Sequence, residues 1–358
     1  MTDRWTEART REWFAHRPWY CGFNFLPSTA VNFLEMWHAD TFDPATIERE
    51  LGWAADLGFN AFRINLQYLI WKHDRDGLLD RLDRVMGMAA ARGIVTVPVL
   101  FDDCGFGGFE PEYGRQPDPL PGVHNSRAVA SPGRELLFDG TEFHGFLHYV
   151  RDVIGEFRFD GRVLCWDIYN EPGNRMVFGP DGATLHEPDF SRQSLALLQD
   201  GFAAARSIAP EQPLTASAWS TPVAGATNAA YETEIDRAAL ALSDVTSFHA
   251  YLSTGKVAAI IDELARLNRP MLCTEWMARP IGSLIEDQLS LFKDRQVSCF
   301  QWGLVQGRTQ TWLPWPAELV AAHGGRTDRS VWFHDLLTAE GAPYDQAEFT
   351  ALRSCLRR

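Results

Sequence analysis

VLCWDIYNEP, residues 163–172, is a nearly continuous apolar run that stops at Asn170, Glu171 and Pro172. Runs of this kind suit a strand buried on both faces of a parallel sheet. Pro172 supplies no ladder N–H and ends the strand, so Glu171 is lifted to its C-terminal rim. Working outward, more short runs rich in β-branched and aromatic residues share this character. Three precede it, at 19–27 (WYCGFNFLP), 59–67 (FNAFRINLQ) and 94–103 (IVTVPVLFDD). Four follow, at 213–219 (PLTASAW), 245–251 (VTSFHAY), 270–278 (PMLCTEWMA) and 298–307 (SCFQWGLVQG).

Amphipathic segments fill the gaps. Residues 44–57 (PATIERELGWAADL) open on Asp43 as N-cap with Pro44 in the first turn, and Gly58 stops them. Residues 76–92 end at Arg92 and Gly93, a C-terminal signature. The spacing predicts further helices over 141–157, 190–208, 228–240, 257–267, 281–294 and about 331–356. Eight strands alternating with helices predict an α/β chain folded as a (β/α)8 TIM barrel. A doubly wound open sheet is the competitor, but CGFNFLPS at the first strand lacks the Gly-rich phosphate loop. No linker, repeat or low-complexity tract divides the chain, so residues 1–358 read as one domain. The segments after strands one (27–43), three (102–139) and eight (308–330) are long, and all follow strand C-termini, the active face of such barrels.

The bulk properties exclude several partners. With 358 residues, 46% of them apolar, the chain can bury a substantial core. Its net charge of −14 gives no general attraction for phosphate backbones or anionic lipid, so neither nucleic acid nor membrane is an expected partner. The N-terminal MTDRWTEARTREWF is charged and helical in character, without a signal core, and no apolar stretch reaches the roughly 18 residues that span a bilayer. The six cysteines show no CxxC pairing; Cys21, Cys165, Cys273 and Cys299 lie inside strand runs and read as small buried hydrophobes. A reducing, cytoplasmic setting is the expectation. Thirteen tryptophans supply core filler and, where exposed in a cleft, flat faces for sugar rings. Nothing in the chain speaks to oligomeric state.

The chemistry lies at the strand ends. Glu275, in LCTEWMARP, ends the seventh run as Glu171 ends the fourth. One rim glutamate is usually a salt bridge or a solvated charge. Two on separate strands of a closed barrel face each other across its mouth. Glycosidic cleavage needs that pair: one acid to protonate the leaving oxygen, one carboxylate to attack or stabilise the anomeric carbon.

With these residues the chain resembles the clan A glycoside hydrolases, and most of all family 5 and its cellulase-like relatives. Asn170–Glu171 and Glu275 match the acid/base and the nucleophile of that clan. Arg63 in AFRIN matches the arginine that supports the nucleophile, His249 and Tyr251 in FHAY match the His-x-Tyr pair, and Trp302 in FQWG matches the tryptophan floor of the −1 subsite. The resemblance implies double displacement with retention, carboxyl groups about 5–5.5 Å apart, and no metal or organic cofactor. Arg63 is expected to keep Glu275 ionised, and Asn170 to bond the sugar 2-OH. One departure stands out. The third run ends in Asp102 and Asp103 where family 5 often has a histidine; these two, His124 in the following loop, and Trp37 after strand one are the other candidate substrate contacts. The reading is an exo-acting β-glycosidase on oligosaccharides or small glycosides, the sugar left open. A transglycosidase of the same mechanism, a non-catalytic carbohydrate-binding barrel and a metal-dependent barrel enzyme using Asp102, Asp103, Glu171, His249 and Glu275 are the alternatives.

Overall fold

The computed structural model describes residues 3–356. Eight strands form one parallel sheet: β1 (Cys21–Asn24), β2 (Ala61–Asn65), β3 (Val95–Asp102), β4 (Trp166–Asn170), β7 (Leu214–Thr215), β8 (Thr246–His249), β9 (Met271–Trp276) and β10 (Ser298–Trp302). A small antiparallel hairpin, β5 (Met176–Phe178) and β6 (Thr184–His186), is inserted after β4. The sheet runs β7-β4-β3-β2-β1-β10-β9-β8, and a parallel bridge between Ala218 and Phe248 joins its two edges. This is the (β/α)8 barrel, and each of its strands lies inside an apolar run read from the sequence.

Strand alternation sorts the side chains. Along β2, Phe62 and Ile64 pack outward into the core shared with the helices, while Ala61 joins Val97, Leu272 and Phe300 in a cluster at the bottom of the lumen. Arg63 and Asn65 follow on the lumen side, nearer the C-terminal rim. The helices behave as their caps dictate. Pro44–Leu57 starts with the Asp43 side chain accepting from Thr46 N–H and ends at Gly58, whose φ of 103° is a left-handed stop.

Two helix expectations are corrected. The helix expected over 228–240 begins only at Glu234, where the Thr233 side chain caps it by accepting from Asp236 N–H. The helix expected over 331–356 is confined to Gln346–Leu356. Residues before it are irregular instead, with bends and a turn: Leu337 bridges to Val305 and to Pro343, and Phe333 is buried against Ala278, Ile281 and Val320. Their apolar residues serve a loop-borne core, which a 3.6-residue period cannot distinguish from a helix face. Cys21, Cys165, Cys273 and Cys299 are buried and free. Among the described residues, no helix is long and apolar enough to cross a membrane.

The long loops are stitched together above the barrel. Arg308 ion-pairs with Glu35 at 3.5 Å and with Asp118 at 3.2 Å, tying the last loop to the first and third. Asn32 Nδ2 donates to Arg127 O at 2.8 Å, and Asn125 N–H to Thr309 O at 2.8 Å. On the opposite side Thr184 N–H in the hairpin donates to Glu318 at 2.5 Å, and Ala224 N–H donates to Ala322 O at 2.6 Å.

Inside the barrel, Gly22 permits the close approach of β1 and β2. A Cβ there would collide with the Ala61 carbonyl oxygen and lie 2.7 Å from Phe300 Cδ1. Gly22→Ala is therefore expected to lower stability by about 1–3 kcal/mol, the ordinary cost of overpacking, seen as a lower urea midpoint at unchanged slope. An unchanged midpoint would mean that the strands separate freely at this level.

Candidate active site

The parallel register sets the functional residues at one height. Asn24 pairs with both Arg63 and Trp302, Asp102 with Asn170, and His249 with Glu275. All are last or near-last residues of their strands, so their side chains converge on a cavity of about 310 Å³ at the C-terminal face.

Arg63 is the hub beneath that cavity. Its guanidinium is wholly buried. Nη1 donates to Glu275 Oε1 and to Asn24 Oδ1, both at 2.9 Å, Nε donates to Asp167 Oδ2 at 2.9 Å, and Nη2 donates to Asn170 Oδ1 at 2.7 Å. Planar forked donors suit such multidentate holding. Glu275 also accepts from Tyr251 OH at 2.8 Å. His249 Nδ1 lies 2.8 Å from Glu171 Oε1 and 3.6 Å from Glu275 Oε2. Oxygens of both carboxylates and a His249 ring nitrogen all lie within 4.8 Å of one another.

The two glutamates differ in their partners. Burial pushes both carboxyls up from the ordinary range, and each is buried enough for that cost to be the largest cause. His249, Arg63 and the Tyr251 hydroxyl oppose it at Glu275. Glu171 Oε2 accepts from Asn174 Nδ2 at 2.7 Å and meets the Cys104 thiol at 3.1 Å, both uncharged. Like charges this close do not both ionise. The guanidinium in direct contact with Glu275 favours the negative charge there. Asn174 is oriented by its own Oδ1 accepting Met176 N–H at 2.9 Å, so it donates to Oε2. Oε1, beside His249, is therefore the oxygen of Glu171 with room to carry a proton. Burial lowers the His249 pKa to about 4, so the ring is neutral near pH 7.

Glu171 is held in a left-handed conformation, φ 42°. That conformation is uncommon for a residue with a side chain and needs support from its surroundings. Asp103 supplies it. Its buried carboxylate accepts from Gly173 N–H at 2.6 Å, Ser194 OH at 2.7 Å and Tyr169 OH at 2.8 Å, and Asn174 N–H closes the turn onto Glu171 O at 3.0 Å. Burial, opposed by these donors, raises the Asp103 pKa to about 7.

The residues singled out in the sequence divide into those at the cavity and those behind it. Glu171, Glu275, Asn170, His249, Tyr251, Trp302, Asp102 and His124 line the cavity. Asp102 accepts from Asn65 Nδ2 at 2.7 Å, Asn170 Nδ2 at 2.8 Å and Cys104 N–H at 2.9 Å. His124 is anchored by Leu313 O at 2.7 Å, and burial lowers its pKa to about 4. Arg63 and Asp103 act from below and behind. Trp37 is turned into the core: it is fully buried, stacks on Phe42, and its Nε1 donates to Asn65 O at 2.8 Å. It steadies the end of β2 and is not part of the cavity wall.

Sequence reading passed over Asn65, Cys104, Asn174 and Trp219. Asn65 was within reach, since it lies two residues after Arg63 on the same strand face. Trp219 was the terminal residue of the fifth run; its Nε1 donates to Pro172 O at 3.1 Å, against the Glu171 turn. Cys104 and Asn174 carried no signal, because their roles arise only once two loops meet.

No protein-family model matches the chain, and no curated protein does. Solved structures do. The GH5_18 protein of Streptomyces cattleya in complex with GlcNAc superimposes with a TM-score of 0.59 at 16% identity, over 95% of this chain and 81% of that one. An exo-β-1,4-mannosidase from Opitutaceae bacterium strain TAV5 gives 0.58 at 16% identity, over 95% and 59%. The endo-1,4-β-mannanase of Rhizomucor miehei gives 0.58 at 14% identity, over 95% and 94%. Likeness at this level of identity establishes the fold.

The Asp103 clamp generates a pH test. Its folded-state pKa of about 7 lies above the ordinary 3.8, so the folded chain holds this proton more tightly than the unfolded one. The associated stability is complete below 3.8 and is lost as pH rises through about 7. Urea unfolding at roughly pH 5 and pH 8 should show a smaller loss for Asp103→Asn than for the wild type. Equal losses would show that Asp103 is ionised throughout.

Proposed function

We propose that this chain is a retaining β-glycosidase of the family 5 type, exo-acting on β-linked oligosaccharides or small glycosides. The observation that carries the reading is the carboxylate pair. One oxygen of Glu171 and one of Glu275 lie within 4.8 Å of each other, a closeness that fits double displacement better than an inverting pair with carboxyls about 6.5–9.5 Å apart. Only Glu275 is paired with a guanidinium. Glu275 attacks the anomeric carbon while Glu171 Oε1 protonates the departing oxygen. Esterification removes the neighbouring charge, the Glu171 pKa falls, and Glu171 then takes a proton from the water that releases the sugar. Asn170, held by Arg63 and Asp102, is placed to bond the 2-OH, a contact that strengthens as positive charge builds on the ring.

Exo action is supported by the stitched loops after β1, β3 and β10. Their ion pairs and backbone bonds turn an open groove into a pocket with room for a chain end. The sugar is open; because two of the similar structures bear the names of mannan-directed enzymes, β-mannosides head the panel to be tried. Transfer to an acceptor sugar uses the same residues, and products decide it. The metal-dependent reading keeps one supporting observation: Glu171, His249 and Glu275 are spaced to hold a cation. Arg63 already supplies a fixed positive charge 2.9 Å from Glu275 and opposes a second one there. Activity abolished by chelator would favour that reading.

The deciding experiment is turnover of aryl β-glycosides by the wild type and Glu275→Ala. We expect cleavage of at least one glycoside with retention, loss of activity in the variant, and rescue by azide as the inverted glycosyl azide. Full activity in Glu275→Ala sinks the assignment. A second expectation concerns pH. With Glu171 acting as acid from a raised pKa, kcat/KM falls on the alkaline side as Glu171 loses its proton, and on the acid side as Glu275 gains one. In Glu171→Gln the alkaline limb should vanish for aryl substrates whose leaving groups need no protonation; its persistence would assign that limb to another group.

A further inference from the structure

The cavity has two chemically different halves. Around Glu275 and Asn170 the wall is polar, with Asn65 and Asp102 offering amide and carboxylate atoms to the ring that is attacked. A general acid must face the leaving group, so the other half is fixed by what surrounds Glu171. Beyond its direct partners His249, Asn174 and Cys104, the lining that follows is largely apolar. Met176 and Phe178 follow Glu171 on the same loop, with Phe178 stacked on Phe106 at 4.5 Å. Trp219 is pinned to Pro172 O, and Leu319 comes from the helix Ala317–Ala322 that Glu318 fastens to the hairpin. His323, also in this half, has Nδ1 at 2.9 Å from Leu319 O.

The apolar half continues to the surface. Leu185, on the hairpin strand beside Thr184, is 56% exposed, and Val223, beside Ala224, is 53% exposed. Their neighbours Thr184 and Ala224 bond to the two ends of the same short helix, so Leu185 and Val223 sit beside the helix that carries Leu319. A departing sugar brings several hydroxyls, and each needs a partner when it leaves water. Here His124, which meets Phe178 edge-on, and Ser220 and Thr221 join His323 as polar residues lining that half.

We propose that the leaving group is an apolar aglycone, an alkyl or aryl alcohol reaching from Trp219 to Leu185 and Val223, rather than another sugar. This rests on the glycosidase reading above and adds the substrate class. The test compares n-octyl, methyl and β-1,4-linked mannosyl-mannose glycosides of one glycone, all below micelle-forming concentration. Kinetics use the wild type; affinity is read from tryptophan fluorescence of Glu171→Gln. Burying two methylene groups already contributes about a factor of ten, so kcat/KM for the octyl glycoside should exceed that for the disaccharide at least about tenfold, with affinity in Glu171→Gln following the same order. In Leu185→Ser/Val223→Ser the octyl-to-methyl ratio should drop about threefold or more. A disaccharide cleaved and bound as well as the octyl glycoside overturns the proposal, as does an unchanged ratio in the double variant. Tight octyl binding without turnover of any glycoside would instead overturn the glycosidase reading and leave the apolar half standing.

Discussion

One buried guanidinium organises the upper barrel. Arg63 rises from β2 into a lumen closed below by Ala61, Val97, Leu272 and Phe300, and spends its donors on groups from three other strands: Asn24, Asp167 with Asn170, and Glu275. A buried charge without partners would cost several kcal/mol, so these groups are obliged to converge on it. The same contacts that satisfy the arginine set the level of Glu275, lock the Asn170 amide and favour the negative charge on Glu275.

Above that hub the molecule tolerates strain at the mouth of the cavity. Glu171 sits at a positive φ on the turn after β4, and the turn is held by Asp103 through Gly173 N–H rather than by the sheet. Asp102 and Asp103 divide the work because neighbouring residues at a strand end point to opposite sides. Asp102 faces the cavity and anchors Asn170, and Asp103 faces outward and anchors the Glu171 turn. The position where the resembling family often has histidine is therefore filled by a carboxylate that is itself fully bonded, with the Cys104 thiol next to it against Glu171.

Much of this was legible in the chain. The eight apolar runs, their order, and the two glutamates at strand ends follow from a period of two, from proline and glycine stops, and from the fixed polarity of parallel strands. Arg63, Asn170, His249, Tyr251 and Trp302 were legible as strand-end residues for the same reason. The errors came where no period operates. Trp37 lay in a loop that looked like cleft wall, yet a short helix, Phe33–Trp37, turns it into the core toward Asn65 O. The segment before Gln346 had helical-looking apolar spacing but is irregular, with bends and a turn, because Phe333 and Leu337 pack against other loops.

The sequence by itself determined the barrel, its polarity and the carboxylate pair, since each depends on local rules of strand length, alternation and termination. Tertiary structure alone decided the rest: which loops meet over the cavity, which member of Asp102 and Asp103 faces it, how Cys104 and Asn174 reach Glu171, and which apolar side chains join the lining. Those features depend on contacts between residues far apart in the chain, such as Arg308 with Glu35 or Thr184 with Glu318, and no local pattern encodes a partner more than two hundred or one hundred residues away.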